Sequence, residues 1–429
     1  MWLGNCSVKR EKMSVKQGTF PATPTPILSI HPHSPPFFLF LSMKNQRLPS
    51  IDILRAVTML LMIFVNDLWS LTHVPRWLLH TAAEEDGMGL SDVVFPAFLF
   101  IVGLSIPHAV KARLEKGASK VSVILHILSR AFALLVMGLF MVNLENIDAA
   151  QLLIRKEYWQ ILMALAFMLI WNNYRNPLVF GVVPAILLKV LGWLIFAFLA
   201  SIYQGASGNW MMIHWWGILG LIGWAYLLVA LLYLWIRDKV WWLAAICIVL
   251  LLLNVNEFAR LLGFDFQLVI SASTHASVML GVLTTVIYTQ LAAKDQLRWL
   301  TPSLIGIALL LIAFGFATRP EWGISKIRAT PSWTVICAGI SILAFVLMHY
   351  IADVKGRTSW AALIAPAGSS TLTCYLMPYF AYAIVALLGW SLPEVLTNGA
   401  IGLLKSALFA LLVIQFTGLL NRVHIGLKI

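Results

Sequence analysis

Charged residues are scarce in this sequence. Only 11% of its 429 residues are Asp, Glu, Lys or Arg, whereas 60% are hydrophobic, and the mean hydropathy is +0.87. Soluble domains carry about 25% charged residues, so these few cannot cover the chain with a water-facing shell. The composition therefore excludes a soluble globular protein and predicts a chain that is surrounded by lipid.

Cysteine and acidic residues are also few. The four cysteines have neither metal-ligand spacing nor the pattern of a disulfide framework, so we predict no metal site: Cys6, Cys247, Cys337 and Cys374. The formal net charge is +12, but the Lys and Arg residues are scattered over loops rather than clustered. This distribution predicts no nucleic-acid partner.

What the sequence does contain is a series of apolar runs from Ile51 onwards, each close to the roughly 20 residues that cross a bilayer as a helix. They lie near 51–71, 91–110, 122–142, 157–173, 177–200, 214–236, 240–255, 273–293, 303–317, 332–351, 371–390 and 399–420. We predict an all-α polytopic membrane helical bundle of about 11 to 12 transmembrane helices.

The distribution of basic residues predicts the orientation of this bundle. With a cytoplasmic N-terminus, one set of loops carries Lys44, Arg47, Lys111, Arg113, Lys116, Lys120, Arg175, Arg237, Lys239, Lys294, Arg298, Lys355, Arg357, Arg422 and Lys428. The opposite set carries only Arg76, Arg155, Lys156, Arg260, Arg319, Lys326 and Arg328. Because Lys and Arg accumulate on the cytoplasmic side, both termini are predicted to be cytoplasmic and the 72–90 loop extracytoplasmic.

Residues 1–42 differ in kind from the rest. Prolines interrupt this segment and a basic stretch begins it, so it can build neither a long helix nor a core. We predict that it is disordered, or an extension that is not translated, with Met43 as the biological start. Residues 43–429 form the membrane domain. A start followed closely by a first span is typical of a bacterial inner-membrane protein.

Polar residues inside the first apolar run are candidates for function, because charges within a bilayer are costly. At about 100° per residue, Asn66 lies within roughly 40° of Asp52 and 20° of Arg55 on a helix, and about 21 Å of helix separates Asp52 from Asn66. Alternatively, Asp52 and Arg55 form an i,i+3 ion pair, and Asn66 hydrogen-bonds a neighbouring helix.

Two further polar residues follow on the same predicted side. His80 lies in the next loop, and Asp92 lies at the start of the second run. A histidine can act as a general base or acyl carrier, a carboxylate can fix its tautomer, and an amide can donate to a developing oxyanion. The alternatives are a solvated His80 and an Asp92 that caps a helix.

Two weaker groups complete the candidates. Four basic residues at the predicted cytoplasmic side could receive phosphates, although the positive-inside bias also explains them: Lys111, Arg113, His126 and Arg130. On the other side, the loop from Trp322 to Trp333 breaks that bias. It supplies three candidate substrate-binding residues, and a fourth lies at the outer end of a later run: Trp322, Lys326, Arg328 and His275.

The stretch from Arg47 to Gly103 resembles heparan-alpha-glucosaminide N-acetyltransferase and its bacterial relatives. The resemblance rests on Asp52-x-x-Arg55, Val65-Asn66, the downstream His80 and Ser91-Asp92-Val-Val-Phe-Pro-x-Phe-x-Phe-x-x-Gly103. Later pieces are also similar: Trp215–Gly220, Ser273–Ser277, Ser325–Trp333 and Ala367–Thr373. Acyltransferase family 3 proteins resemble the Asp-x-x-Arg start more distantly.

The resemblance implies a transmembrane acyltransferase domain over residues 43–429. Such an enzyme moves an acetyl group from cytoplasmic acetyl-CoA to an amino sugar or similar glycan acceptor on the extracytoplasmic side. His80 would be the catalytic histidine, with Asn66 and Asp92 beside it. Asp52 and Arg55 would join the cytoplasmic basic residues at the acetyl-CoA site.

Other possibilities stay open at this point. A dozen helices with polar residues inside them also suit a transporter or permease for a small sugar or cell-wall fragment. The acceptor, the choice between N- and O-acylation, and a homodimeric or other oligomeric state are left undecided by the sequence.

Overall fold

The computed structural model describes residues 48–174, 178–179, 183–260 and 269–429. The predicted start at Met43 and the segment before it lie outside these residues. Residues 48–429 form one compact unit. Apart from a strand pair, Leu178–Val179 and Val183–Pro184, the regular structure of the described residues is helical. The prediction of an all-helical fold is confirmed.

Helices follow one another along the described chain, joined mostly by short connections. The longer ones are α1 (Pro49–Asp67), α2 (Leu90–Glu115), α3 (Lys120–Glu145), α4 (Lys156–Trp171), α5 (Ala185–Ser201), α6 (Ile218–Ile236), α7 (Val240–Ala259), α8 (Ala272–Ala293), α9 (Leu300–Ala317), α11 (Pro331–Met348), α13 (Thr371–Leu387) and α15 (Gly399–Arg422). Three short helices lie between them: α10 (Arg319–Trp322), α12 (Ala365–Ser369) and α14 (Glu394–Thr397). Each predicted apolar run overlaps one of the longer helices.

Eight helices of the described chain are long and apolar enough to cross a membrane: α2, α3, α6, α7, α8, α15 and the stretches Leu297–Ala317 and Pro331–Val354, which contain α9 and α11. Two shorter apolar helices are α5 and α13. The chain is therefore an integral membrane protein by length and composition. The total of about 11 to 12 spans and the sides of the two termini stay predictions.

Glycines allow the central helices to approach closely. A Cβ at Gly103 of α2 would collide with the backbone carbonyl of Val278 in α8, and one at Gly281 would collide with the Phe100 carbonyl. Gly315 of α9 and Gly339 of α11 make a similar contact. Small residues at helix crossings are typical of membrane bundles, where van der Waals packing drives association.

Side-chain caps define where several helices begin. Ser119 accepts a hydrogen bond from the Ser122 N–H at the start of α3, and Thr330 caps α11 just before Pro331. Asp92 accepts from the Gly89 N–H at the start of α2. These caps satisfy backbone donors that a helix leaves unpaired in its first turn. The start of α2 is thereby fixed at the place where the candidate residues meet.

Candidate functional site

His80 and Asp92 form a hydrogen-bonded pair at the start of α2. The ring Nδ1 of His80 lies 2.6 Å from Asp92 Oδ1. The carboxylate is fully buried, whereas the imidazole is 48% exposed. Because an ionised carboxylate only accepts hydrogen bonds, Nδ1 carries the proton and Nε2 is left with its lone pair. An imidazole held in this way can act as a base or nucleophile through Nε2.

Asp92 also organises the loop that carries His80. Its Oδ2 accepts hydrogen bonds from the N–H groups of Thr81 and Gly89, each at 3.0 Å. A Cβ at Gly89 would collide with the Leu79 carbonyl oxygen, so the loop and the helix start can approach closely only with glycine there. The capping role considered for Asp92 is therefore present together with its contact to His80.

Lys326 reaches the same histidine from a distant part of the sequence. Its Nζ lies 3.3 Å from His80 Nδ1. Burial lowers the pKa of Lys326, and the negative charge of Asp92 opposes that shift. The sequence had marked Lys326 because its loop breaks the charge bias and because the segment Ser325–Trp333 resembles the family. The structure brings its amine to the edge of the imidazole.

The loop that bears Lys326 is clasped to the loop after His80. Asp86 accepts hydrogen bonds from Arg319 Nε at 2.8 Å and from the Ile324 N–H at 2.7 Å, and the Gly87 N–H donates to the Ile324 carbonyl. The hydrogen bond from Arg319 lowers the pKa of Asp86, and the Ile324 N–H acts in the same direction. These contacts hold the loop that carries Lys326 against the loop that carries His80.

The remaining substrate-binding candidates do not join this group. Trp322 ends α10 and is partly buried. The exposed Arg328 lies with its guanidinium 5.8 Å from the ring centre of Phe258. His275 is buried in α8, where Nδ1 contacts the Ser271 carbonyl at 3.1 Å, and its Nε2 has no hydrogen-bond partner among the described residues.

Asn66 lies one residue before the C-terminal end of α1, and its side chain is exposed. No side chain in the described part of the chain hydrogen-bonds to its amide, and none of its contacts joins it to His80 or Asp92. The alternative of a hydrogen bond to a neighbouring helix is not realised within these residues. Its predicted role beside His80 stays a prediction.

At the opposite end of α1 the polar residues contact one another. Arg55 donates to Asp52 Oδ1 at 2.8 Å, which is the i,i+3 pair considered from the sequence. It also donates to the Gly368 carbonyl and to Ser105 Oγ. Its guanidinium therefore ties α1 to α2 and α12.

The other basic candidates lie at the end of α2 and on α3. Arg113 Nη2 lies 2.8 Å from His126 Nε2, and Lys111 is exposed beside Glu115. The Arg130 guanidinium lies 4.8 Å from the ring centre of Tyr226 in α6. Arg130 Nε and His108 Nε2 are buried and have no hydrogen-bond partner among the described residues. Buried polar atoms without a partner suit an anionic ligand. His108 was not among the residues that the sequence analysis selected.

The comparisons with known proteins point to the family that the motifs indicated. The family model described as "Heparan-alpha-glucosaminide N-acetyltransferase, catalytic" matches residues 47–213. Heparan-alpha-glucosaminide N-acetyltransferase of Homo sapiens is 35% identical over 107 residues, which are 24% of this chain and 15% of that protein. The Mus musculus protein is 34% identical over 101 residues, 23% of this chain and 14% of its own length.

These matches confirm the resemblance predicted from the first two helices. The family-model match includes the loop that carries His80 and the start of α2 that carries Asp92, since both lie within residues 47–213. The chain is thus a helical membrane protein with a region similar to the catalytic part of an N-acetyltransferase family. The aligned region covers only 15% and 14% of the two relatives.

Proposed function

We propose that this protein is a transmembrane acetyltransferase. It takes the acetyl group of acetyl-CoA on the cytoplasmic side and passes it to an amino sugar or similar glycan acceptor on the extracytoplasmic side. The observation that carries the proposal is the His80–Asp92 pair, because it leaves a half-exposed imidazole with a fixed tautomer. The family similarity of the same segment supports the choice of acetyl transfer.

The two ends of α2 support a division of labour. Asp92 lies in its first turn and Arg113 in its last, and the 21 residues between them correspond to about 32 Å of helix. The guanidinium groups of Arg113 and Arg130 supply cations for the phosphates of the donor, and His126 Nε2 contacts Arg113. Arg130 Nε and His108 Nε2 lack partners among the described residues. Charged phosphates are costly to move into lipid, so only the uncharged arm of the donor would extend towards His80.

The chemistry at His80 is a proton or acyl transfer through Nε2. In one route the ring removes a proton from the acceptor amine as that amine attacks the thioester carbonyl; the C–S bond breaks, and the CoA thiolate leaves and takes up that proton. In the other route Nε2 attacks the carbonyl itself and the CoA thiolate leaves; the acetyl group then passes from the ring to the acceptor amine, whose proton ends on the thiolate. In both routes Asp92 stabilises the positive charge that the ring acquires. The carboxamide of Asn66 would donate to the oxyanion of the thioester carbonyl.

The experiment is thiol release from acetyl-CoA by purified protein, measured over a panel of amino sugars. Replacing His80 by Ala should lower acetyl transfer by at least about 10²-fold, while acetyl-CoA binding measured by calorimetry stays unchanged. The matched control is His73→Ala, since His73 is exposed in the same loop. Transfer by His80→Ala at the rate of the control would refute the catalytic assignment.

A further inference from the structure

A buried ion pair lies directly beside Asn66 and has no part in the chemistry above. Asp67, the last residue of α1, has a side chain that is only 4% exposed. Its Oδ2 accepts hydrogen bonds from Lys405 Nζ and Ser406 Oγ of α15, each at 2.6 Å. Its Oδ1 accepts from the Tyr382 hydroxyl of α13 at 2.8 Å. One carboxylate thus joins three helices.

This placement is unfavourable unless it is compensated. A carboxylate at the C-terminal end of a helix faces the negative end of the helix dipole, and a buried charge is costly without a partner. Lys405, whose side chain is 19% exposed, supplies the opposite charge. These neighbours therefore compensate a charge that the helix end by itself would disfavour.

The chain after Asp67 is held by the same neighbours. Lys405 Nζ also donates to Ser70 Oγ at 2.9 Å, and Ser70 Oγ donates to the Asp67 carbonyl at 2.7 Å. Two residues later, the Thr72 N–H donates to the Thr397 carbonyl, and the Gly399 N–H donates to the Thr72 carbonyl. The C-terminal end of α1 and the turn that follows are therefore fixed to the start of α15.

Asn66 contrasts with its neighbour. Its exposed amide has no hydrogen-bond partner among the described residues, so its side-chain bonds can rotate. The backbone at the end of α1 fixes the position of its Cα and the direction of its Cα–Cβ bond. Asp67 and Lys405 fix that backbone one residue away. A displacement of about 1 Å at a reacting group can cost roughly 10²-fold in rate.

We propose that Asp67 and Lys405 are positioning residues that hold the backbone of Asn66, and with it the starting point of its side chain, in the working position, so that α15 sets the geometry of the acyl-transfer site. This inference rests on the proposed function, in which Asn66 assists His80. It adds a pair on α1 and α15 that never touches the substrate. Their effect passes to the reaction only through Asn66.

The first test separates turnover from donor binding. Lys405→Met removes the ammonium group and should lower kcat by about ten-fold or more. The KM for acetyl-CoA should stay within about two-fold, because the basic cluster lies at the other end of α2. Lys405→Arg keeps the charge and should restore most of kcat. Equal losses in Lys405→Arg and Lys405→Met, or a raised KM with unchanged kcat, would overturn the proposal.

A second variant guards against simple misfolding, because Lys405→Met leaves a buried carboxylate without its counter-charge. The double variant Asp67→Asn/Lys405→Met removes both charges together, which is often neutral for stability. Its melting temperature should return close to that of the wild type while kcat stays low, since the Lys405 link to Ser70 is lost. Recovery of kcat together with the melting temperature would show a purely structural pair and sink the proposal.

The third measurement does not depend on acetyl transfer. The thiol of Asn66→Cys should react with a water-soluble maleimide at a rate that changes at least about two-fold when Lys405→Met is added. The matched control is the thiol of Glu84→Cys, which is exposed further along the loop and outside the segment held by Lys405 and α15, and its rate should not change. Cys247, Cys337 and Cys374 are buried, and Cys6 is replaced by Ser beforehand. An unchanged rate at position 66 would contradict positioning.

The two proposals can fail separately. If His80→Ala and Asn66→Ala keep full transfer activity, the proposed function is wrong whatever Lys405 does. If both variants lose activity but Lys405→Met keeps its kcat and the thiol rate at position 66, only the positioning role is wrong.

Discussion

At the scale of single residues, the site depends on the hydrogen bonds of two side chains. Asp92 has several hydrogen-bond partners, whereas His80 has few. Asp92 accepts hydrogen bonds from two backbone N–H groups and contacts the His80 ring. Within the part of the chain that the structure describes, His80 contacts Asp92 and Lys326 through Nδ1 alone. The contacts orient the imidazole through Nδ1 and leave Nε2 for the reaction.

Asp92→Asn tests this arrangement. The amide keeps the size of the side chain but can donate to Nδ1, which favours the tautomer with its proton on Nε2. We expect kcat to fall by about 10² to 10⁴-fold, as other carboxylate–histidine pairs indicate. The same change removes the charge from the oxygen that accepts hydrogen bonds at the start of α2, which should cost about 1 kcal/mol, the difference between charged and neutral hydrogen bonds.

The control for that loss of stability is Ser119→Ala, which removes the cap of α3. It should cost a similar free energy of unfolding, about 1 kcal/mol, and leave kcat unchanged. Thermal unfolding and initial rates of both variants measure the two effects. If Asp92→Asn lost no more activity than Ser119→Ala, the tautomer argument would be wrong.

At the scale of helices and loops, close contacts decide which segments can meet. The α2–α8 crossing brings backbone to backbone at Gly103 and Gly281. The clasp between Asp86 and the Arg319–Ile324 segment brings Lys326 to the same end of α2 as His80. Each of these contacts is local in space but long-range in sequence.

Gly103→Ala probes the helix crossing. Its new Cβ would collide with the Val278 carbonyl of α8, so the helices must move apart, and we expect a destabilisation of about 1–3 kcal/mol. Gly306→Ala in α9 is the matched control, because a Cβ there meets no atom within 4 Å. It should be neutral or stabilising by up to about 1 kcal/mol. Thermal unfolding in detergent compares the two, and equal melting temperatures would contradict the crossing.

The loop clasp should depend on pH. The pKa of Asp86 is lowered below its ordinary value of 3.8, chiefly by the hydrogen bond from Arg319. A lowered pKa means that the carboxylate stabilises the clasp above the unfolded value of about 3.9, and that this contribution is lost as the pH falls through the folded value.

The measurement is the mobility of a spin label at Glu321→Cys, within the clasped segment. The label should be restrained at neutral pH and become mobile only as the pH falls below the ordinary Asp value, through the lowered pKa of Asp86. With Arg319→Gln added, it should be mobile over the whole range. If the label stayed restrained down to pH 2 in the protein with Arg319 intact, Asp86 would not be what holds the two loops together.

At the scale of the whole molecule, the proposed function requires that the His80 end and the basic end of α2 face opposite sides of the membrane. We expect an impermeant thiol reagent to label Glu84→Cys in intact cells, and to label Lys116→Cys only after the cells are opened. Both positions are exposed. The reverse pattern would overturn the predicted orientation, and with it the cytoplasmic donor.

The sequence by itself determined the features that depend on local pattern. Hydropathy placed most of the long helices within a few residues, because in lipid each helix satisfies its own backbone hydrogen bonds. The run predicted from 177 becomes a helix only at Ala185, after the strand pair. His80 and Asp92 were found because a short loop joins them. The pairing of Asp52 with Arg55 also followed from helical spacing, as neighbours three residues apart share one face.

Only the tertiary structure decided which distant segments meet at those residues. Lys326 lies 246 positions from the histidine it contacts, and Lys405 lies 338 positions from Asp67. Asp67 was passed over although it follows Asn66 directly, since a charged residue at a helix end is ordinary without knowledge of its partners. Such contacts arise from helix packing, where glycine crossings and buried charge compensation choose one arrangement, and periodicity along the chain carries no signal of that choice.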